Sequence, residues 1–237
     1  MLEAIVPLPV ETVPLAEAAG RVLASEARAL IDLPRFDNSA MDGYAVRAVE
    51  AATGAKLKCI GEVPAGAAFE GTVGKGECVR IFTGSPLPEG ANAVVMQEDT
   101  QAGAGGIEIT DGAKPFEHIR LRGEDVKAGE IIGCAGEQLH AGRLQLLGAA
   151  GVAEVAAHRQ PTVAVLSTGD ELREPGADLG DGGIYESNRL ALAELIRNAG
   201  AQPQVFPLVP DTLEATSAAL QIAFNECDAV VTSGGVS

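Results

Sequence analysis

The spacing of apolar residues changes character near Pro161 and divides the chain into two kinds of text. Ahead of it, short apolar runs over 57–63, 78–82, 93–98 and 107–110 are separated by Gly- and Pro-bearing turns. That pattern predicts a small all-β module, with Gly103-Ala104-Gly105-Gly106 as a hairpin-like turn before the last strand. Upstream, 15–19 reads as a short helix ending near Gly20, followed by an extended stretch over 22–31 closed by Pro34. Downstream, 118–121, 130–132 and 152–155 are strand-like and 143–147 helix-like. The expected organisation is a mixed first domain over 1–158, with the β module (about 34–116) inserted in it.

Beyond Pro161 the run 162–166 is continuously apolar, as in a parallel strand covered on both faces. A helix is predicted from about Asn188, because Leu192, Leu195, Ile196 and Ala199 share one face and Gly200 sits at C′. A strand over 204–208 follows, then a helix from about Thr212 whose Leu213, Leu220 and Phe224 share a face, then a strand over 229–232. The order β-α-β-α-β predicts a doubly wound parallel α/β domain over 159–237, so the fold class is α/β plus β. Ligands belong beyond the carboxyl ends of such strands. The last strand and its Gly-rich turn should feed a covering helix. The sequence is therefore expected to be an amino-terminal piece of a longer protein, inactive and weakly stable over 161–237 when alone.

Composition sharpens this picture. Of 237 residues 46% are hydrophobic but only 3% aromatic, so aliphatic side chains must build the cores. Lys and Arg total 17 against 33 Asp and Glu, a net charge of −16, which opposes binding to nucleic acid and to anionic membranes. An anionic substrate would then need local help from a divalent cation and aimed backbone N–H groups. Cys59, Cys78, Cys134 and Cys227 have no ligand-like spacing and read as reduced, mostly buried thiols. His118, His140 and His158 make neither a zinc pattern nor a triad. With no leader-like start and no membrane-length apolar run, the expected location is cytoplasmic.

The chemistry-bearing text is a set of carboxylate turns. Asp37-Asn38-Ser39-Ala40-Met41-Asp42-Gly43 is rich in residues that compete for backbone hydrogen bonds, with Gly43 freeing the chain to turn into Tyr44-Ala45-Val46. Arg122-Gly123-Glu124-Asp125 reads by default as a solvated, ion-paired turn, and Thr83-Gly84-Ser85-Pro86 as either a β-turn or an oxyanion contact. Ser167-Thr168-Gly169-Asp170-Glu171 and Ser233-Gly234-Gly235 follow apolar strands, where hydroxyls, carboxylates and glycine-freed amides can face a ligand. Asp211 matches the N-cap of a capping box with Glu214, although a cap at a sheet's carboxyl edge can also face a ligand.

Six segments in one order resemble the molybdopterin molybdenumtransferase family, which comprises the bacterial MoeA proteins and the similar gephyrin E domain. They are Phe36 to Val46, Ile81-Phe82-Thr83-Gly84, Val94-Val95-Met96-Gln97-Glu98, Arg122 to Asp125, Ser167 to Leu172 and Thr232 to Ser237. The resemblance implies transfer of molybdenum from molybdate to adenylylated molybdopterin, with release of AMP and assistance from Mg2+. It implies catalytic roles for Asp42, Thr83, Glu171 and Asp211, and metal contacts by Asp125, Glu171 and Asp211. Ser167, Thr168, Gly169, Asp170, Ser233, Gly234 and Gly235 would bind substrate. It also implies a molybdopterin-binding-like second domain, a homodimer with Asp42 and Thr83 reaching the other subunit, and an upstream molybdopterin adenylyltransferase as a partner. Two other readings remain: a non-catalytic gephyrin-like scaffold and an adenylyltransferase-type binding protein, which lacks the segment 37–46.

Overall fold

A computed structural model describes residues 6–64, 66–103 and 105–234. The chain forms two compact units, one from Ala27–Gly133 and Gln145–Ala153, the other from Met1–Glu26, Cys134–Leu144 and Glu154–Ser237.

The first unit is built on a six-stranded mixed sheet in the order Ala93–Met96, Gly43–Val46, Glu77–Ile81, Lys56–Val63, Gly106–Ile109, Thr100–Gly103. Only Lys56–Val63 and Glu77–Ile81 run parallel, with a register shift between Cys59 and Glu62. Successive side chains along a strand point to opposite faces, and both faces are buried. Val46, Cys78 and Val95 join Leu57, Ile107 and Ile109 in one core, while Ala45, Val79 and Val94 join Val63 and Ile81 in another. Each fully buried Val or Ile contributes roughly 1.5–3 kcal/mol. Gly43 corrects the expectation of a turn: it is the first residue of a strand, and an added Cβ would meet the Val95 carbonyl oxygen at 2.0 Å. Its missing side chain serves close backbone approach, not a bend.

In the second unit, Val10–Pro14 pairs antiparallel with Glu154–His158. That pairing, made with residues far along the chain, reduces the expected helix over 15–19 to one 3-10 turn, Leu15–Glu17. The extended stretch over 22–31 likewise reduces to bridges at Val22 and Leu23 in this unit and, in the first unit, the short strand Ala27–Arg28. A three-stranded parallel sheet follows in the order Gln202–Val205, Thr162–Ser167, Ala229–Ser233. Val163 and Val165 pack with Ile196 of helix Asn188–Asn198 on one face; Ala164 and Leu166 pack with Ala223 of helix Leu213–Glu226 on the other.

Two helix expectations need correction. Thr212, not Asp211, is the N-cap of Leu213–Glu226: its backbone is extended and its hydroxyl accepts the Ala215 N–H at 3.2 Å. Leu213 and Phe224 do not face the core, being 86% and 65% exposed. The packed stripe is instead Ala215, Ala219 and Ala223, whose small side chains let the helix lie close to the sheet, together with Leu220. All four cysteines are free; Cys78 is buried, but Cys134 is exposed, contrary to expectation. Among the described residues no helix is long and apolar enough to cross a membrane.

Candidate functional site

In the sheet unit, the strand ends bring Asp42 and Thr83 together. Asp42 leads into strand Gly43–Val46 and Thr83 leaves strand Glu77–Ile81, and these strands pair with Gly43 opposite Ile81. Thr83 donates its backbone N–H (2.8 Å) and its hydroxyl (2.9 Å) to the same oxygen, Asp42 Oδ1. These two hydrogen bonds, backbone first, hold the Asp42 carboxyl below the usual aspartate range, and the nearby charge of Arg80 adds to the effect. The Gln97 N–H donates to the Asp42 carbonyl oxygen at 3.0 Å. Asn38 and Ser39 are buried, their side chains donating to the carbonyls of Phe36 and Met41, the local competition that their residue types imply. Thr83 itself sits in a β-turn closed by Ser85 N–H to Phe82 O at 3.0 Å.

The segment 120–125 folds into the same unit. Ile119–Arg120 pairs with Asn38–Ser39, and the Arg122 N–H donates to Asp37 Oδ1 at 2.7 Å. Asp125 and Glu124 both engage Arg120, while Arg122 engages Asp32. Asp32 is held below its ordinary range first by the Ala128 N–H and then by Arg122. The ion-paired turn expected from composition is present.

In the other unit, Ser167, Thr168, Gly169, Asp170 and Glu171 leave the carboxyl end of the central parallel strand. The Thr168 N–H donates to the Ser233 carbonyl (3.1 Å) and the Gly169 N–H to that of Val209 (3.2 Å), joining the three strand ends. Asp170 Oδ1 accepts the Asp211 N–H at 3.0 Å, which leaves the exposed Asp211 carboxylate at the same edge. The Glu171 carboxylate lies over Gly169, where a Cβ would sit 2.7 Å from Oε2. Gly234 has φ +96°, and a Cβ there would meet the Thr168 carbonyl oxygen at 2.5 Å, so the turn admits only glycine. Gly235 lies outside the described residues.

Sequence reasoning missed the groups behind this edge. Ser167 donates to Glu186 (3.2 Å), and Asn188 Nδ2 donates to Ser233 Oγ (2.8 Å). Glu186 and Arg189 are 3% and 5% exposed. Arg189 donates from Nε to Glu186 (2.8 Å), from Nη1 to the Phe206 carbonyl (2.6 Å) and from Nη2 to both oxygens of Glu174. Burial pushes the Glu186 carboxyl up, but the Arg189 side-chain and backbone hydrogen bonds outweigh it and leave it below the ordinary range. The signal available was Glu186-Ser187-Asn188-Arg189 opening a predicted helix. Among the described residues no group of three or more His, Cys, Asp or Glu is gathered as a ready-made metal cage.

Residues 1–151 match the family described as "MoeA N-terminal region (domain I and II)", and residues 164–237 match "Probable molybdopterin binding domain". The chain is 39% identical over 232 residues to a molybdopterin molybdenumtransferase of a Nostoc species, covering 96% of this chain and 53% of that protein. It is 41% identical over 240 residues to the Haemophilus influenzae protein of the same name, covering 100% of this chain and 59% of that one. The crystal structure of the molybdopterin biosynthesis MoeA protein of Pyrococcus horikoshii superposes with a TM-score of 0.83 at 36% identity, over 97% of this chain and 62% of that one. The chain thus spans a little over half the length of these curated relatives. With both halves matched in order and the first match covering more than half of its residues, the chain belongs to the MoeA family.

Proposed function

We propose that the protein carrying this chain acts in molybdenum cofactor biosynthesis, transferring molybdenum from molybdate to adenylylated molybdopterin with release of AMP. The observation that carries the reading is the Asp42–Thr83 pair, built from two family-like segments 41 residues apart and set on a rigid sheet. An aspartate whose carboxyl is held below its ordinary range is a weaker proton acceptor than a free one. Its role is to orient the Thr83 hydroxyl and to set the local field at the reacting phosphate or molybdate.

At the other edge, Ser167, Thr168, Gly169, Asp170, Ser233, Gly234 and Gly235 bind the substrate, and Glu171 and Asp211 are its acidic partners. Mg2+ is commonly held by one or two carboxylates together with substrate phosphates and water. Two exposed carboxylates at one strand-end edge, without a full protein cage, fit an ion of that kind. When bound it supplies neutralisation of phosphate charge. Glu171 and Asp211 would hold it; the metal contact assigned to Asp125, which pairs with Arg120 in the sheet unit, is a separate proposal. The protein works as a cytoplasmic homodimer, downstream of a molybdopterin adenylyltransferase.

The test joins this chain to the remainder that its longer relatives possess. The product is incubated with adenylylated molybdopterin, molybdate and Mg2+, and AMP and molybdenum cofactor are measured. Formation of both supports the reading; release of neither would sink it.

A further inference from the structure

Arg80 belongs to none of the six family-like segments, yet it touches both chains of contacts that fix Asp42 against Thr83. It stands directly opposite Tyr44 in the strand register, and Phe82 follows two residues later on the same face. Its guanidinium carbon lies 5.1 Å from the centroid of the Tyr44 ring and 5.0 Å from that of Phe82, within cation–π range of both. In plane, Nη1 donates to the Gly43 carbonyl oxygen (3.3 Å) and Nη2 to Gln97 Oε1. Gln97 in turn donates its N–H to the Asp42 carbonyl, and its side-chain amide donates to Glu98 Oε1 at 3.2 Å. Among the described residues Arg80 makes no salt bridge, although acidic groups outnumber basic ones two to one in this chain.

We infer that Arg80 is the positioning residue of the Asp42–Thr83 pair. The planar fork and two stacked faces join three backbone segments: the start of Gly43–Val46, the turn after Glu77–Ile81, and the 3-10 turn Gln97–Asp99. That junction sets Asp42 where one carboxylate oxygen takes both Thr83 donors. A lysine in its place keeps the charge but has neither the fork nor the stacking plane. The charge that acts on Asp42 is Arg80 on the neighbouring strand; Glu98 lies beyond Gln97, Glu62 stands opposite Arg80 in the register of the next strand, and Thr83 supplies neutral donors. The functional importance of Arg80 rests on reading Asp42 and Thr83 as site residues, but its positioning role does not.

The experiment follows the Asp42 carboxyl carbon and the Thr83 amide proton by NMR in the 237-residue chain as pH is lowered from 7. In the wild type both nuclei should report one midpoint below the usual aspartate range. In Arg80→Met the Asp42 midpoint should move up and the Thr83 amide should lose its coupled shift. Arg80→Lys, which keeps charge and length, should restore part of the midpoint but not the coupling. Wild-type coupling in Arg80→Lys would overturn the inference, even if Arg80→Met failed to fold. In the lengthened protein, Arg80→Lys should lower kcat by on the order of 10- to 100-fold with KM little changed. If Asp42→Ala and Thr83→Ala leave turnover intact, the functional reading fails while the NMR coupling still decides the role of Arg80.

Discussion

The two carboxylate-bearing edges of this protein are held in place by opposite means. Asp42 is exposed, and neutral donors from Thr83 fix it at the end of a six-stranded sheet. At the Ser167–Glu171 edge the carboxylates Asp170 and Glu171 are exposed too, but behind them stands a buried ion pair, Glu186–Arg189, whose guanidinium also reaches the exposed Glu174. The first arrangement costs little to desolvate and ties geometry to a few hydrogen bonds. The second places full charges in a low-dielectric interior, where each depends on its partner. A change in one partner should therefore be far more damaging at the second edge than at the first.

The largest effect is expected from Arg189→Met, which leaves Glu186 buried and unpaired; a loss of about 3–5 kcal/mol in chemical denaturation should follow. Replacing Glu186 as well, by Leu, should recover much of it, and a single-variant loss below about 1 kcal/mol would remove the contrast. Gly43→Ala comes next. The atom in its way is the Val95 backbone oxygen, which no rotamer change can move, so destabilisation of about 1–3 kcal/mol or more is expected. Thr212→Ala should cost about 1 kcal/mol as a lost N-cap, with Asp211→Ala nearly silent in the same melt. The reverse order would restore Asp211 as the cap.

Acid should also weaken the buried ion pair. The Glu186 carboxyl lies below the ordinary range in the folded chain, so its stabilising contribution is full above the unfolded-state value of about 4.3. It is lost as pH falls through the lower folded value. Asp228, held down by Arg159 and then by the Thr162 N–H, acts in the same direction. Stability of the α/β part should therefore decline below about pH 4, and Glu186→Gln should flatten that slope.

What the sequence reveals follows the range of the contacts involved. Apolar positions place five strands of the six-stranded sheet to within a residue or two, because each strand's burial pattern is local; the polar edge strand Thr100–Gly103 carries no such pattern and escapes it. The strand Val10–Pro14 is hidden because its partner lies near residue 154, and pairing overrides the helical composition of 15–19. The cap on Leu213–Glu226 falls to either of two adjacent polar residues by spacing, and only backbone geometry selects Thr212. The Asp42 segment stands out as a polar stretch leading into an apolar strand, and the Glu171 and Ser233 segments as turns after apolar runs. Arg80 and Arg189 do not, since what distinguishes them is a ring or a carboxylate brought close by folding.

The most direct measurement compares Asp42→Asn with the unaltered sequence in the lengthened protein, reading AMP release and the denaturation midpoint on the same samples. The expected result is loss of nearly all turnover with an unmoved midpoint, since Asp42 is exposed and its carboxylate acts on the reaction more than on the fold. Turnover that persists in Asp42→Asn, or that falls only in proportion to folded protein, would contradict the assignment of this pair to the reaction.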